Sequence, residues 1–112
     1  MLETAVVEHY ERIIGQADGL AMERCVQMIT DKDFTPDLRR LAEETGQKTQ
    51  VLILHGDSDR GMPYEASSKI VAEILGHKAH ARLYERAGHG LYLTHQERVM
   101  EDILGFVKRI QE

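Results

Sequence analysis

With a single cysteine, Cys25, the chain can form no internal disulfide. No stretch approaches the roughly 20 consecutive apolar residues that cross a bilayer. The start, MLETAVVEHYER, has neither a basic leader nor an apolar run of signal length. The expectation is a soluble, reducing, cytoplasmic setting with no membrane partner. Dense basic stripes are missing as well. Lys and Arg number 14 against 19 Asp and Glu, a formal net charge of -5, which makes nucleic acid a poor partner. The acidity sits mainly before Gln50. There are no repeats and no low-complexity segments. Serine does not occur before Ser58, and the other two, Ser67 and Ser68, lie in EASSKI without flanking glycines.

What is present suffices for one modest core, since a chain of 112 residues buries roughly two thirds of the surface its unfolded form exposes. Val6, Val7, Tyr10, Ile13 and Ile14 share a helical stripe that Gly15 should end as a C-cap. Asp18 can cap a second helix through Thr30, with a broader apolar face. Thr35 followed by Pro36 reads as a third start, N-cap then first helical position, running to about Glu44 before Gly46. The pattern changes after Lys48. Val51 to Leu54 is a short unbroken apolar run, as in a strand buried on both faces. Ala66, Ile70, Val71, Ile74 and Leu75 mark the inner face of a helix from Glu65 to Gly76, and HARLYE from His80 supplies a second strand. A last helix, from about His95 to Ile110, carries Val99, Met100, Ile103, Leu104, Phe106, Val107 and Ile110. Strand, helix, strand, helix implies an α/β fold with parallel strands. The TGQKTQ stretch divides it from the helical part, giving segments 1–48 and 49–112.

In an open parallel sheet ligands gather at the carboxyl edge of the strands. Both predicted strands end there in loops rich in chemistry: Gly56, Asp57, Ser58 and Asp59 after the first, Gly88, His89 and Gly90 after the second. An acid placed so can hold the Nδ1 proton of His89 and stabilise the imidazolium formed when Nε2 takes a proton from a nucleophile.

VLILHGDSDRGMP, followed by YERAGHGLYLTHQERVMEDILGFV, resembles the end of an α/β-hydrolase, and the tail is similar to cofactor-free haloperoxidases and their esterase relatives. DKDFTPDLRRL resembles the segment leading from their helical cap back to the sheet, so that 1–48 would be a cap remnant and 49–112 the end of the core. The resemblance implies a partial α/β-hydrolase fold, Asp59 as triad acid through G-x-x-D, His89 as triad base through G-H, hydrolysis of an ester-type bond, and no cofactor. Asp57 is not at the matching position.

That family orders its triad as nucleophile, acid, histidine, with the serine in a G-x-S-x-G elbow. The elbow and its oxyanion loop are not in this sequence. Loss of the nucleophile costs about as much as loss of the whole triad, on the order of a million-fold. The expectation is a chain inactive alone, self-associating or joined by a chain that supplies the missing sheet, because small open sheets are marginal. A small-molecule ester would be its substrate only when completed. The alternatives are a non-catalytic interaction module or a truncated product, with Asp59 and His89 as polar loop residues. Cys25, inside ERCVQM, reads as a buried structural cysteine rather than a substitute nucleophile. His77 and His80 straddle a helix end and a strand start and read as surface residues, not metal ligands. DSDRG misplaces the glycine of a calcium loop and lacks its final acid. His55 and His95 read either as pocket-entrance residues or as polar groups near the strand ends.

Overall fold

A computed structural model of the chain describes residues 2–45 and 49–111. These group into two compact units, one ending at Thr35 and one running from Pro36. The stretch around Gly46 that marks the expected boundary includes residues 46–48, which lie outside the described residues.

The first unit holds two helices, α1 (Thr4–Gly15) and α2 (Gly19–Asp31), neither with a buried residue. Asp18 caps α2 as its side chain allows, accepting the Ala21 N–H at 2.9 Å. Gly15 does not serve as the C-cap of α1. It is the last helical residue, and Gln16 caps in a right-handed conformation that any residue adopts, its N–H donating to the Ile13 carbonyl. Cys25 is exposed rather than buried, because the apolar face of α2 meets no core within its unit.

α3 (Thr35–Glu43) belongs, after its first residue, to the second unit, although its sequence goes with the helical part. Thr35 is already helical. The carboxylate of Asp33 takes its backbone N–H at 2.9 Å, so the start differs from the expected threonine cap. At the other end the buried ammonium of Lys78 acts as a C-cap, donating to the Leu41 and Glu44 carbonyls at 2.5 and 2.7 Å. Those carbonyls have no partner inside a helix, and a cation near them also complements the negative end of the helix dipole.

Two strands, β1 (Val51–Gly56) and β2 (Ala79–Tyr84), pair in parallel from Val51 opposite Ala79 to Gly56 opposite Tyr84. They are the only sheet among the described residues. Val51 to Leu54 are half-buried rather than covered on both faces, as follows when no third strand flanks the pair among the described residues. Between the strands lie a 3₁₀ turn, Tyr64–Ala66, and α4 (Ser68–Leu75). Proline at 63 fixes where that turn begins, so the helix starts later than its apolar spacing suggests, and Ala66 and Ile70 face solvent. Leu75 is buried and Gly76 leaves the helix at φ +58°, a conformation that side chains with a Cβ rarely adopt. After β2 come a single turn, α5 (Leu91–Thr94), which the sequence pattern does not indicate, and α6 (Gln96–Gln111).

The core is small. Tyr84, Ala87, Leu91 and Val99 are buried together, with Leu54 against them. Each fully buried large side chain contributes about 1.5–3 kcal/mol. Tyr84 is wholly buried, and burial together with its hydrogen bond to Asp102 of α6 pushes its hydroxyl up to about 12. Met100, Ile103, Leu104, Val107 and Ile110 of α6 remain exposed, along with Leu83 of β2. Among the described residues no helix is long and apolar enough to cross a membrane.

Candidate active site

Because β1 and β2 end side by side at Gly56 and Tyr84, their following loops leave the sheet at one edge. Three backbone-level bonds join those loops. The Asp57 N–H donates to the Tyr84 carbonyl and the Ser58 N–H to the Ala87 carbonyl, both at 2.9 Å, while the Arg86 N–H donates to Asp57 Oδ1 at 2.8 Å. This last bond steadies Arg86 at φ +57°, a conformation costly for a residue with a Cβ. Asp57, the acid outside the matching position, thus has a structural task. Gly56 is what allows the loops to approach: a Cβ there would lie 2.2 Å from the Ala87 carbonyl oxygen.

Asp59 and His89, singled out in sequence, meet in space. His89 Nδ1 lies 2.7 Å from Asp59 Oδ2. A carboxylate oxygen only accepts, so Nδ1 carries the proton and Nε2 is left as the basic nitrogen. The acid is enclosed, its side chain 4% exposed, whereas the imidazole is 78% exposed. Asp59 Oδ1 accepts the Met62 N–H at 2.9 Å. That backbone bond first, and the His89 bond second, hold the Asp59 carboxyl below its ordinary value of 3.8. The acid is therefore charged and aimed at the base through neutral pH.

His55, last but one in β1, does not line an entrance. It is buried beneath the acid loop, with Nε2 2.7 Å from the Met62 carbonyl, Nδ1 2.6 Å from Ser68 Oγ, and the Tyr64 ring edge-on. Sequence reasoning missed Ser68 here, since thirteen residues separate it from His55 and nothing local in EASSKI marks the pairing. His95 is half-buried at the joint between α5 and α6, edge-on to Tyr84 and within 2.7 Å of Thr94 Oγ1.

None of the three serines is presented to His89. Ser58 Oγ donates to Asp57 and Ser67 Oγ to the Pro63 carbonyl, while Ser68 is engaged with His55. Cys25 lies in the other unit. Among the described residues no three His, Cys, Asp or Glu side chains converge as metal ligands. His80 instead contacts Gln50 Oε1 at 2.8 Å and, with exposed His77, borders a cavity of about 620 Å³ at the amino ends of the strands, away from Asp59. What the pair can do chemically is accept a proton at Nε2 and hold the resulting cation beside a carboxylate.

Comparison with known proteins places the chain in a family. Residues 29–112 match the prolyl oligopeptidase family. A non-heme chloroperoxidase of Streptomyces lividans is 32% identical over 105 residues, 92% of this chain and 35% of that protein. Another non-heme chloroperoxidase, from Kitasatospora aureofaciens, is 31% identical over 77% of the chain and 30% of its own length. A bifunctional esterase/perhydrolase of Acinetobacter calcoaceticus is 33% identical over 68% of the chain and 25% of its own length. The chain thus spans about a third of the length of the curated relatives it matches. Its parallel strands and its helices are those of a partial α/β-hydrolase fold, and the chain belongs to the prolyl oligopeptidase family.

Proposed function

We propose that Asp59 and His89 are the acid and base of a serine-hydrolase triad whose nucleophile comes from outside these 112 residues. The observation that carries this reading is the 2.7 Å contact between His89 Nδ1 and a buried carboxylate, which leaves Nε2 free. In the completed site, Nε2 takes the proton of a serine hydroxyl as the oxygen attacks an ester carbonyl. The imidazolium then returns that proton to the leaving alcohol, and Asp59 stays charged throughout. Water repeats the sequence on the acyl-enzyme. The name of the esterase/perhydrolase relative supports an ester-type substrate, and the mechanism assigns no step to a cofactor.

The partner in this reading is a polypeptide segment that supplies the remaining sheet, the elbow serine and the oxyanion donors, with self-association as the other way to cover the strands. Residues 1–48 are, in the same reading, the end of the helical cap. A cytoplasmic location suits the unpaired, exposed thiol of Cys25, which a reducing compartment preserves. A non-catalytic interaction role is the second reading, favoured by the exposed apolar side chains along α6.

An activated short-chain ester separates these readings in two arms. The purified chain and its His89→Ala variant should hydrolyse it equally poorly. A wild-type rate orders of magnitude above the variant would reveal a nucleophile within the chain and overturn the proposal. When the chain replaces the matching stretch of the Streptomyces lividans relative, a folded chimera should turn the ester over and lose at least about a thousand-fold on His89→Ala. A folded chimera indifferent to His89 would leave the interaction role.

A further inference from the structure

A buried histidine is costly unless both ring nitrogens have partners. His55 has both, and their chemistry fixes a direction. The Met62 carbonyl can only accept, so the proton of the neutral ring is on Nε2, and Nδ1 must then accept from the Ser68 hydroxyl. Met62 continues the chain of bonds, because its own N–H is the donor that occupies Asp59 Oδ1. A directed series therefore runs from Ser68 at the start of α4, through His55 at the end of β1, to the loop residue that holds the acid. It leaves Oδ2 for His89.

Resting on the acid and base roles given above, we propose that His55 is a positioning residue for Asp59, with Ser68 fixing its ring: together they clamp Met62 so that one carboxylate oxygen is held by the backbone and the other faces His89. At the acid, His55 Nε2 is 3.7 Å from Asp59 Oδ2, so the ring also lies beside the carboxylate oxygen that faces His89. The other titratable groups facing the ring are Tyr64, edge-on at 5.6 Å between centroids, and Asp59 itself.

A purely structural histidine and a positioning one differ in what happens at His89, which neither His55 nor Ser68 touches. The test follows the His89 Nδ1–H resonance by nuclear magnetic resonance in the full chain, alongside circular dichroism for folding. Asp59→Asn should broaden that resonance or remove it, since the Nδ1 proton loses the carboxylate that holds it. His55→Phe and Ser68→Ala should broaden it as well, because the acceptor is no longer held in place. His55→Gln, which keeps an N–H for the Met62 carbonyl, should restore most of the wild-type signal. If Asp59→Asn alters the resonance while folded His55→Phe and Ser68→Ala leave it as in wild type, the positioning role is overturned and the acid–base pair stands. If Asp59→Asn itself has no effect, the pair falls and this role with it. Should His55→Phe not fold, the milder Ser68→Ala decides.

Discussion

Adding one methyl group at Gly56 should uncouple the acid from the base. A Cβ there would sit 2.2 Å from the Ala87 carbonyl oxygen, 2.5 Å from the Ala87 carbonyl carbon and 2.6 Å from the Gly88 oxygen. Comfortable separations are about 3.5 Å, so the overlap exceeds about 1 Å, and it is with backbone, which no rotamer change relieves. The loop after β2 must retreat by about that distance. Bonds of 2.9 Å from Ser58 to Ala87 and from Asp57 to Tyr84 would then pass beyond hydrogen-bond range, and the 2.7 Å contact of His89 with Asp59 would follow. At about 1 kcal/mol for each bond, the loss is about 2–4 kcal/mol. For a domain of this size each kcal/mol moves the melting temperature by about 4–8 °C, so Gly56→Ala should melt about 8–32 °C lower. Gly88→Ala is the matched control, since a methyl group there would have nothing within 4 Å and the φ of Gly88 is not positive. It should stay within about 0.5 kcal/mol of wild type. Thermal unfolding by circular dichroism gives the stabilities, and the His89 Nδ1–H resonance reports the pair. Equal melting of the two variants, or an unaltered His89 resonance in Gly56→Ala, would refute the close-approach argument.

Three further outcomes follow from the same structure. Because the folded Asp59 carboxyl lies below its ordinary 3.8, its stabilising contribution is complete above that value and is lost as pH falls through the lower folded one; urea midpoints measured from pH 5 downward should decline less steeply in Asp59→Asn than in wild type. Tyr84, pushed up to about 12, stabilises the fold below pH 10 and ceases to as pH rises from 10 through 12, so an absorbance titration should show one of the four tyrosines ionising last, and Tyr84→Phe should remove that late step at a cost of about 1–3 kcal/mol. Replacing Lys78 with Met keeps the side chain's apolar length but strands the Leu41 and Glu44 carbonyls, and should lower stability by about 1–3 kcal/mol in urea unfolding; no change would mean that water caps α3 as well as the ammonium does.

Sequence is most legible where a local pattern and a tertiary need coincide. Val51 to Leu54 can be read as a strand because an apolar run of that length, closed by glycine, has few other uses, and the loops after β1 and β2 disclose Asp59 and His89 because parallel strands must deliver their ends to one edge. The failures share a different cause. Local propensity assigns roles to Gly15, Thr35 and Ala66, but the termini of these helices depend on which neighbour supplies a donor or acceptor: Gln16 at one, Asp33 at another, and the turn set by Pro63 at the third. Burial is overestimated at Cys25 and at Ala66 and Ile70 because an apolar stripe states what a helix can cover, not whether a covering surface is present. The His55–Ser68 contact is invisible for a simpler reason: a bond between a strand end and a helix start leaves no periodic trace.

The contrast in exposure between Asp59 and His89 determines what kind of device the pair is. An imidazole open to solvent exchanges its proton with bulk water far more readily than with any positioned hydroxyl, so by itself the pair works as a buffer with a tethered counter-ion. Water also screens the charge that the carboxylate would lend to a developing cation. In the proposed reading, what the pair lacks besides a nucleophile and oxyanion donors is enclosure, not a better acid. Any surface that docks over His89 would therefore contribute twice, once through the groups it brings and once through the water it removes.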